Sequence, residues 1–385
     1  MEANEVQKRV AAIAADFAKD RASRQLRRNL ERSDFKRLAD AGFLLTGVPA
    51  EMGGLWQSTQ KSTRPVCEIL RTLAQGDPSV ALVSSMHPAV LSFWLCQEQV
   101  PAPLEEAWNQ QKRYVAQAAL DGGWWGTITS EPGSGGDVFK TKAVAKPAAD
   151  GGFLISGQKH FGSGSGITSY MITTALPEGE DGADWFFMNV DGAKWDGSGG
   201  IKLISEWDGH GMIATQSHAF DFTGYPATRI AWPGNLRAVS AAAGPFITSA
   251  FTAVVVGVVQ AAFETARSQA FKRREALRPY EQVEWARAEN EAWLIAQAYE
   301  GMLRAVEAKG SAAALDTLHA KTAIAELAET LTSRIARVVG GGSFHRGSPF
   351  GWAFEDVRAL GFLRPPWSLA FDTIVERTWE GLSAS

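Results

Sequence analysis

The sequence predicts a mainly helical α+β protein in which two helical segments flank a β segment. Residues 1–120 repeat apolar side chains every three or four positions, as in VQKRVAAIAADFAKD and PVCEILRTLAQ, which indicates helices. From 121 to 235 the apolar runs shorten and Gly, Ser, Thr and Asp become dense, which is typical of strands joined by turns. From 236 to 385 the helical period returns. We therefore expect an N-terminal helical domain, a central β-domain and a C-terminal helical domain with these bounds.

Three long helical patterns follow one another in the last segment. They read ITSAFTAVVVGVVQAAFETARSQAF, VEWARAENEAWLIAQAYEGMLRAVEA and LDTLHAKTAIAELAETLTSRIARVV. Helices of this length pack into a four-helix bundle, or against the same helices of a second subunit. The C-terminal domain is therefore predicted to be a four-helix bundle.

Composition and charge exclude some functions. The net charge is -4 and no Lys/Arg run is present, which argues against a nucleic-acid partner. Cys67 and Cys96 lie in apolar stretches without metal-ligand spacing, so we expect buried free thiols in a reducing cytoplasm and no metal site. The most apolar stretch, 247–263, is broken by polar residues, which favours a core helix over a membrane span.

A glycine-rich loop, TSEPGSGGD at 129–137, opens the β segment. Its glycines and proline make a tight turn that exposes backbone N–H groups, which suit an anionic or acceptor-rich ligand such as a phosphate or the edge of a flavin ring. The alternative is a plain surface turn.

A second motif, GQKHFGSGSG at 157–166, places an aromatic residue at the end of a strand, before a loop rich in small hydroxyl side chains. Phe161 is suited to lie against a flat ring, and Ser163 and Ser165 to hydrogen-bond its polar edge. The alternative is a strand end followed by an ordinary Ser/Gly turn.

Together with two further motifs, these segments resemble the acyl-CoA dehydrogenase superfamily along nearly the whole chain. VPAEMGG at 48–54 is similar to its N-terminal turn, and GGGSFHRGSPFGWAFEDVRA at 340–359 to its C-terminal segment. The resemblance implies an N-terminal helical domain, a central β-barrel-like domain and a C-terminal four-helix bundle. It also implies a non-covalently bound flavin, FMN or FAD, between the β-domain and the bundle, and a homotetramer.

The resemblance also implies roles for individual residues. Thr129, Ser130 and the Gly135 region would contact the flavin edge, Phe161 would stack where the family has Trp, and Ser163 would lie near the flavin N5 atom. The tail of the cofactor would be approached by four further residues: Arg273, Arg274, Gly340 and Gly341.

The sequence departs from the dehydrogenases at their catalytic base. The family's glutamate lies eight residues after an Asp that corresponds to Asp356, and that position is Arg364, which stays protonated. A second family position for the base, near Ile247, also lacks an acid, and using Glu380 would require an insertion. The FAD-binding Arg-x-x-Phe-Gly appears as KRREALRPYEQ at 272–282, without its Phe-Gly.

One branch of the superfamily resembles this pattern: monooxygenases that take reduced flavin from a separate reductase and use oxygen. They have a His in the N-terminal domain, here His87, and a basic residue before proline, here Arg364. The resemblance implies that Ser163, His87 and Arg364 handle oxygen and protons on a small apolar or aromatic substrate, which the Trp-rich DGGWWGT would help to enclose. The bland alternatives are a packed His87 and an Arg364 paired with Asp356 or Glu355.

Two other functions stay open from the sequence. One is an FAD-dependent acyl-CoA dehydrogenase with an atypical base. The other is a catalytically silent homologue that keeps the fold.

Overall fold

The computed structural model describes residues 1–380 of the 385-residue chain. Helices, then strands, then helices follow one another along the chain, as the sequence predicts. The assignment of these three segments to separate domains stays a prediction.

The N-terminal segment is mainly helical. Asp77 begins the most buried of its helices: the Asp77 side chain accepts a hydrogen bond from the Val80 N–H, and Pro78 occupies the first turn. This combination is a typical helix start. The helices are α1 (Ala3–Lys19), α2 (Arg21–Arg24), α3 (Arg32–Asp40), α4 (Thr59–Gly76), α5 (Pro78–Leu95) and α6 (Glu105–Leu120).

The central segment forms a closed barrel. The strands are β1 (Trp125–Thr127), β2 (Val144–Pro147), β3 (Phe153–Gly162), β4 (Tyr170–Pro177), β5 (Asp184–Asn189), β6 (Ile201–Ser205) and β7 (His218–Arg229). Pairing runs β4-β2-β3-β7-β5 and returns from β5 to β4, while β1 joins β4 and β6 joins β7. Ile155, Phe186, Phe220 and Phe222 fill the interior, as expected for a small barrel.

Up to residue 380, the C-terminal segment contains three long and three shorter α-helices, with short 3-10 helices between some of them. They are α7 (Leu236–Lys272), α8 (Pro279–Lys309), α9 (Ala314–Val339), α10 (Pro349–Val357), α11 (Ala359–Phe362) and α12 (Trp367–Thr378). α7 packs against α4, α5, α8 and α9, so it is the central helix joining the two helical segments.

Among residues 1–380, two helices are long and apolar enough to cross a membrane by length and composition alone. They are α5 and α7, with mean hydropathy 1.2 and 1.9, and 89% and 83% of their apolar windows are buried inside the protein. Such burial is typical of core helices.

The C-terminal segment is anchored to the barrel at one buried carboxylate. Asp356 on α10 accepts a hydrogen bond from the Met212 N–H at 2.6 Å. Gly211 lies so close to the Glu355 carbonyl that a β-carbon there would be 2.3 Å from its oxygen. The loop before β7 and the α10 helix are therefore held in fixed register.

Candidate functional site

The two glycine-rich motifs lie side by side. The loop 129–137 follows β1, and the backbone N–H of His160, near the end of β3, donates to the Ser130 carbonyl at 2.8 Å. Segments far apart in sequence therefore form one wall, as the prediction that both motifs serve one site requires.

A buried ion pair locks these motifs together. Lys159, which is 0% exposed, donates from Nζ to Glu131 Oε1 at 2.5 Å and to the Thr174 carbonyl at 2.6 Å. Burial lowers the pKa of Lys159 to about 8, opposed by the Glu131 carboxylate and reinforced by the nearby Arg364 charge. Burial acts to raise the pKa of Glu131, but hydrogen bonds from Lys159 and Thr141 outweigh it and the pKa is lowered. The pair is thus charged at neutral pH and holds the wall rigid.

Phe161 is held in a strained and exposed position beside this wall. Its φ is +58°, in the left-handed region, and the residue is 56% exposed. An L-residue with a β-carbon loses roughly 1–2 kcal/mol in this conformation, and such strain clusters at ligand sites. The Phe161 ring lies edge-on to Trp207, with centroids 6.0 Å apart, so one aromatic surface remains free for a partner.

Ser163 begins a row of three hydroxyl groups. Ser163 Oγ lies 2.8 Å from Ser217 Oγ, which lies 2.8 Å from Thr215 Oγ1. Thr215 Oγ1 in turn donates to the Met212 carbonyl at 2.8 Å. The Gly164 N–H donates to the Thr215 carbonyl at 2.8 Å, so the two loops are fixed against each other.

Arg364, from the C-terminal segment, contacts the glycine-rich loop 129–137. Its Nη2 donates to Thr129 Oγ1 at 2.5 Å, and Pro366 lies 3.0 Å from where a β-carbon on Gly136 would be. Burial lowers the pKa of Arg364 to about 10, opposed by the Asp137 charge, so the guanidinium stays protonated at neutral pH. Within residues 1–380 Arg364 forms no ion pair, and Glu355 is paired with Arg358 instead. The alternative of a salt bridge from Arg364 to Asp356 or Glu355 is therefore wrong.

The turn that carries Arg364 is held by a buried lysine. Lys321 on α9 donates from Nζ to the Leu363 carbonyl at 2.9 Å and also to the Pro365 carbonyl. Burial lowers the pKa of Lys321 to about 8. These two bonds flank Arg364, so α9 fixes the backbone from which the guanidinium extends.

His87, the third predicted catalytic side chain, is enclosed within the fold. It is 0% exposed, with Nε2 at 2.9 Å from the Leu44 carbonyl and Nδ1 accepting from the Trp125 N–H at 3.3 Å. Burial lowers the pKa of His87 to about 4, against the opposing effect of the Leu44 carbonyl. Both ring nitrogens are thus used within the fold, and the neutral ring supports the start of β1.

The residues predicted to hold the cofactor tail meet at one end of the bundle. Arg273 donates to the Val338 carbonyl, two residues before Gly340, which ends α9 with φ +86°. Gly341 opens the next short helix, Gly341–Phe344. Arg274 is exposed and lies over the Phe271 ring at 4.6 Å. Arg273 and the two glycines are therefore brought together, but within residues 1–380 no hydrogen bond links them to Phe161 or Ser163.

Several solved structures superpose on nearly the whole chain. TdsC from Paenibacillus sp. A11-2, solved with FMN bound, has a TM-score of 0.81 at 18% identity and 98% coverage of both chains. KijD3, solved with FMN and a dTDP-linked amino sugar, has a TM-score of 0.82 at 21% identity, over 99% of this chain and 94% of that one. A glutaryl-coenzyme A dehydrogenase has a TM-score of 0.81 at 16% identity, over 98% of this chain and 94% of that one.

The chain has the acyl-CoA dehydrogenase fold. The predicted fold class, with its helical ends and central barrel, is confirmed. No protein-family model matches the sequence.

Curated relatives of this acyl-CoA dehydrogenase-fold chain are oxidative enzymes by name. A dibenzothiophene monooxygenase from Mycolicibacterium goodii is 29% identical over 252 residues, 62% of this chain and 55% of the relative. An L-evernosamine nitrososynthase from Micromonospora sp. is 25% identical over 351 residues, 86% of this chain and 79% of the relative. The match thus spans about half the length of the first relative.

The site residues of this fold fit a flat aromatic cofactor such as a flavin. Phe161 offers a free aromatic surface at the cost of backbone strain. Thr129 and Arg364 supply a hydroxyl and a protonated guanidinium, which suit the polar edge of such a ring. A β-carbon on Gly135 would meet nothing within 4 Å, so the loop leaves space at its tip.

Sequence reasoning missed several residues of this site. Glu131 and Lys159 were within reach, because each is a charged residue inside a glycine-rich motif and the motifs were expected to be neighbours. Thr215, Ser217 and Lys321 carry no recognisable motif, and only the folded structure brings them to Ser163 and to the Arg364 turn.

Proposed function

We propose that this chain is the oxygenase component of a two-component flavin-dependent monooxygenase. It takes reduced flavin from a separate reductase and transfers one oxygen atom to a small apolar or aromatic substrate. The observation that carries the proposal is Arg364, a protonated guanidinium bonded to Thr129 at the place where a dehydrogenase needs a carboxylate base.

Three carboxylates that come into question as a base have other partners. Glu131 is paired with Lys159. Asp137 accepts from the Phe139 N–H and begins the short helix Val138–Lys140. Glu380, the other base considered from the sequence, is paired with Arg377 beyond α12. This argues against the alternative of an acyl-CoA dehydrogenase with an atypical base.

The bound flavin supplies two electrons, with which one atom of O₂ is reduced to water and the other is transferred to the substrate. Phe161 holds the ring face, and Thr129, Ser130 and the loop around Gly135 hold its polar edge. Ser163 would place its hydroxyl at the N5 position. Arg364 donates hydrogen bonds to the oxygen or to an anionic substrate group, since it stays protonated and cannot act as a base.

His87 serves this site by position. Its two ring nitrogens hold Leu44 and Trp125 together, and β1 leads directly into Thr129. We assign His87 to the support of this strand rather than to proton transfer.

FMN is the preferred cofactor in this proposal. TdsC and KijD3, the similar structures, were solved with FMN. In this chain Arg273 donates to the Val338 carbonyl, which brings Arg273 close to Gly340 and Gly341. We assign Arg273, Arg274, Gly340 and Gly341 to the phosphate end of the cofactor.

The assembly proposed is a homotetramer in the cytoplasm. Tyr280, Val283 and Trp293 project from α8 with 60%, 51% and 62% exposure, an apolar face suited to a second copy of the same helix. Cys67 and Cys96 are buried free thiols, as a reducing compartment allows. Light scattering on the purified protein tests the tetramer.

The proposed activity is tested by reconstitution. Purified protein, FMN, a flavin reductase and NADH are mixed with an aromatic probe such as indole, which is bound in two TdsC structures. Oxygenated product that requires all components supports the proposal. Oxidation of FMN with only hydrogen peroxide formed, across a panel of aromatic probes, contradicts it.

A further inference from the structure

A row of hydroxyl groups behind Ser163 fixes which way its hydrogen bond points. The row runs from Ser163 through Ser217 and Thr215 to the Met212 carbonyl, with each oxygen 2.8 Å from the next. Ser163, Ser217 and Thr215 are 8%, 7% and 0% exposed, so water contributes little to the row.

Proton counting sets the direction. Each hydroxyl has one proton to donate, and a carbonyl oxygen has none. Thr215 must therefore donate to Met212, because two oxygen lone pairs would otherwise face each other at 2.8 Å. Ser217 must then donate to Thr215, and Ser163 must donate to Ser217.

At the Met212 end of the row the direction of the hydrogen bond is fixed. The Met212 carbonyl also accepts from Trp207 Nε1 at 3.1 Å, so it is held as an acceptor. The Met212 N–H is bonded to Asp356 at 2.6 Å, and the Thr215 carbonyl accepts from the Gly164 N–H at 2.8 Å. Both loops are thus anchored by their backbones, and Ser163 is left with only lone pairs for a ligand.

We propose that Thr215 and Ser217 make Ser163 a hydrogen-bond acceptor toward the cofactor, so that the site selects reduced over oxidised flavin. The N5 atom carries a hydrogen in reduced flavin and only a lone pair in oxidised flavin. Ser163 satisfies the first and repels the second. The inference rests on the proposed function and on Ser163 lying beside N5.

Such selection suits an enzyme that receives reduced flavin and returns oxidised flavin to a reductase. A mismatched buried hydrogen bond weakens binding by about tenfold or more. We therefore expect the wild-type protein to bind reduced FMN at least about tenfold more tightly than oxidised FMN. The corresponding rise in the two-electron potential of bound FMN is about 30 mV for each tenfold.

The test compares dissociation constants for oxidised FMN in air and for photoreduced FMN under argon. Thr215→Val and Ser217→Ala each free the Ser163 proton to turn toward the ligand. In both variants oxidised FMN is expected to bind more tightly than in wild type, and the ratio of the two constants to fall toward one. Thr215→Ser keeps the hydroxyl and is expected to keep the wild-type ratio.

Thr63→Val is the matched control, because Thr63 is a buried threonine that donates to the Thr59 carbonyl on α4. If the row has a purely structural role, Thr215→Val and Ser217→Ala will weaken binding of both FMN forms alike and leave the ratio of the two dissociation constants unchanged. That result would overturn this inference but not the proposed function. Failure of wild-type protein to bind FMN in either form would overturn the inference and the proposed function together.

Discussion

Arg364 and Thr129, separated by most of the barrel and the bundle in sequence, meet in one hydrogen bond of 2.5 Å between Nη2 and Oγ1. This contact joins the turn after α11 to the first glycine-rich loop. Arg364, protonated at neutral pH, occupies the sequence position at which the family resemblance implies a base.

Arg364→Lys is expected to lower turnover about tenfold or more with little change in thermal stability. Lysine keeps the positive charge but lacks the planar array of N–H donors of the guanidinium. A hydrogen bond to a charged group contributes roughly 1.5–3 kcal/mol. Turnover and melting temperature are measured side by side. Arg358→Lys, at a partly exposed pair with Glu355, is the control. Unchanged turnover in Arg364→Lys would remove Arg364 from the mechanism.

Lys321→Met is expected to lower turnover in the same direction as Arg364→Lys, without Lys321 touching the substrate. Methionine leaves the Leu363 and Pro365 carbonyls without their donor, so the turn around Arg364 loosens. Hydrogen exchange of the Leu363 and Arg364 amides should accelerate. Lys309→Met removes an exposed lysine of the same bundle and should change neither quantity. Equal exchange in wild type and Lys321→Met would contradict this positioning role.

Phe161→Gly is expected to abolish most flavin affinity while leaving stability nearly unchanged. Glycine accepts φ +58°, so relief of roughly 1–2 kcal/mol of strain offsets an entropic loss of about 0.5–1 kcal/mol. Phe161→Ala removes the ring but keeps a β-carbon, so it should be less stable than Phe161→Gly and equally weak for FMN. Urea unfolding and FMN titration measure the two properties. Full FMN affinity in both variants would exclude the ring from the site.

Asp356→Asn is expected to stabilise the protein increasingly as the pH rises. Burial raises the pKa of Asp356 to about 7, with the Met212 N–H opposing and the Asp77 and Glu355 charges adding to it. Because the folded carboxyl binds its proton more tightly than the unfolded one, this group's contribution is fully present near pH 4. It is lost as the pH rises through about 7.

Asparagine keeps an oxygen acceptor for the Met212 N–H and carries no charge. The difference in unfolding free energy between Asp356→Asn and wild type should therefore be smallest near pH 4 and largest at pH 8 and above. Glu355→Gln, a change at a partly exposed neighbour, should show no such trend. A difference independent of pH would mean that Asp356 is ionised throughout.

The sequence was sufficient for the fold and for one wall of the site. Helical and strand periods differ along the chain, and the motifs around Ser130 and Phe161 retain the local turn chemistry that brings a ligand to the backbone. The wall is predictable because each motif lies within a few consecutive residues.

The remaining residues could not be predicted, for physical reasons. Lys321 reads as a surface residue of an amphipathic helix, and only the packing of α9 against the Arg364 turn buries it. In the sequence, Thr215 and Ser217 read as ordinary loop residues. They join the site because the Gly164 N–H bonds the Thr215 carbonyl and holds the two loops together. His87 was assigned to chemistry by resemblance, whereas its setting in the apolar α5 gives both nitrogens partners within the fold.

The most direct test of the proposed monooxygenase follows oxygen atoms. Protein loaded with reduced FMN under argon is mixed with ¹⁸O₂ and an aromatic substrate, and the mass of the product is measured by mass spectrometry. The proposed function predicts a product that gains one ¹⁸O atom, with the second recovered in water. No labelled product, together with anaerobic bleaching of bound FAD by acyl-CoA thioesters, would contradict it and identify a dehydrogenase.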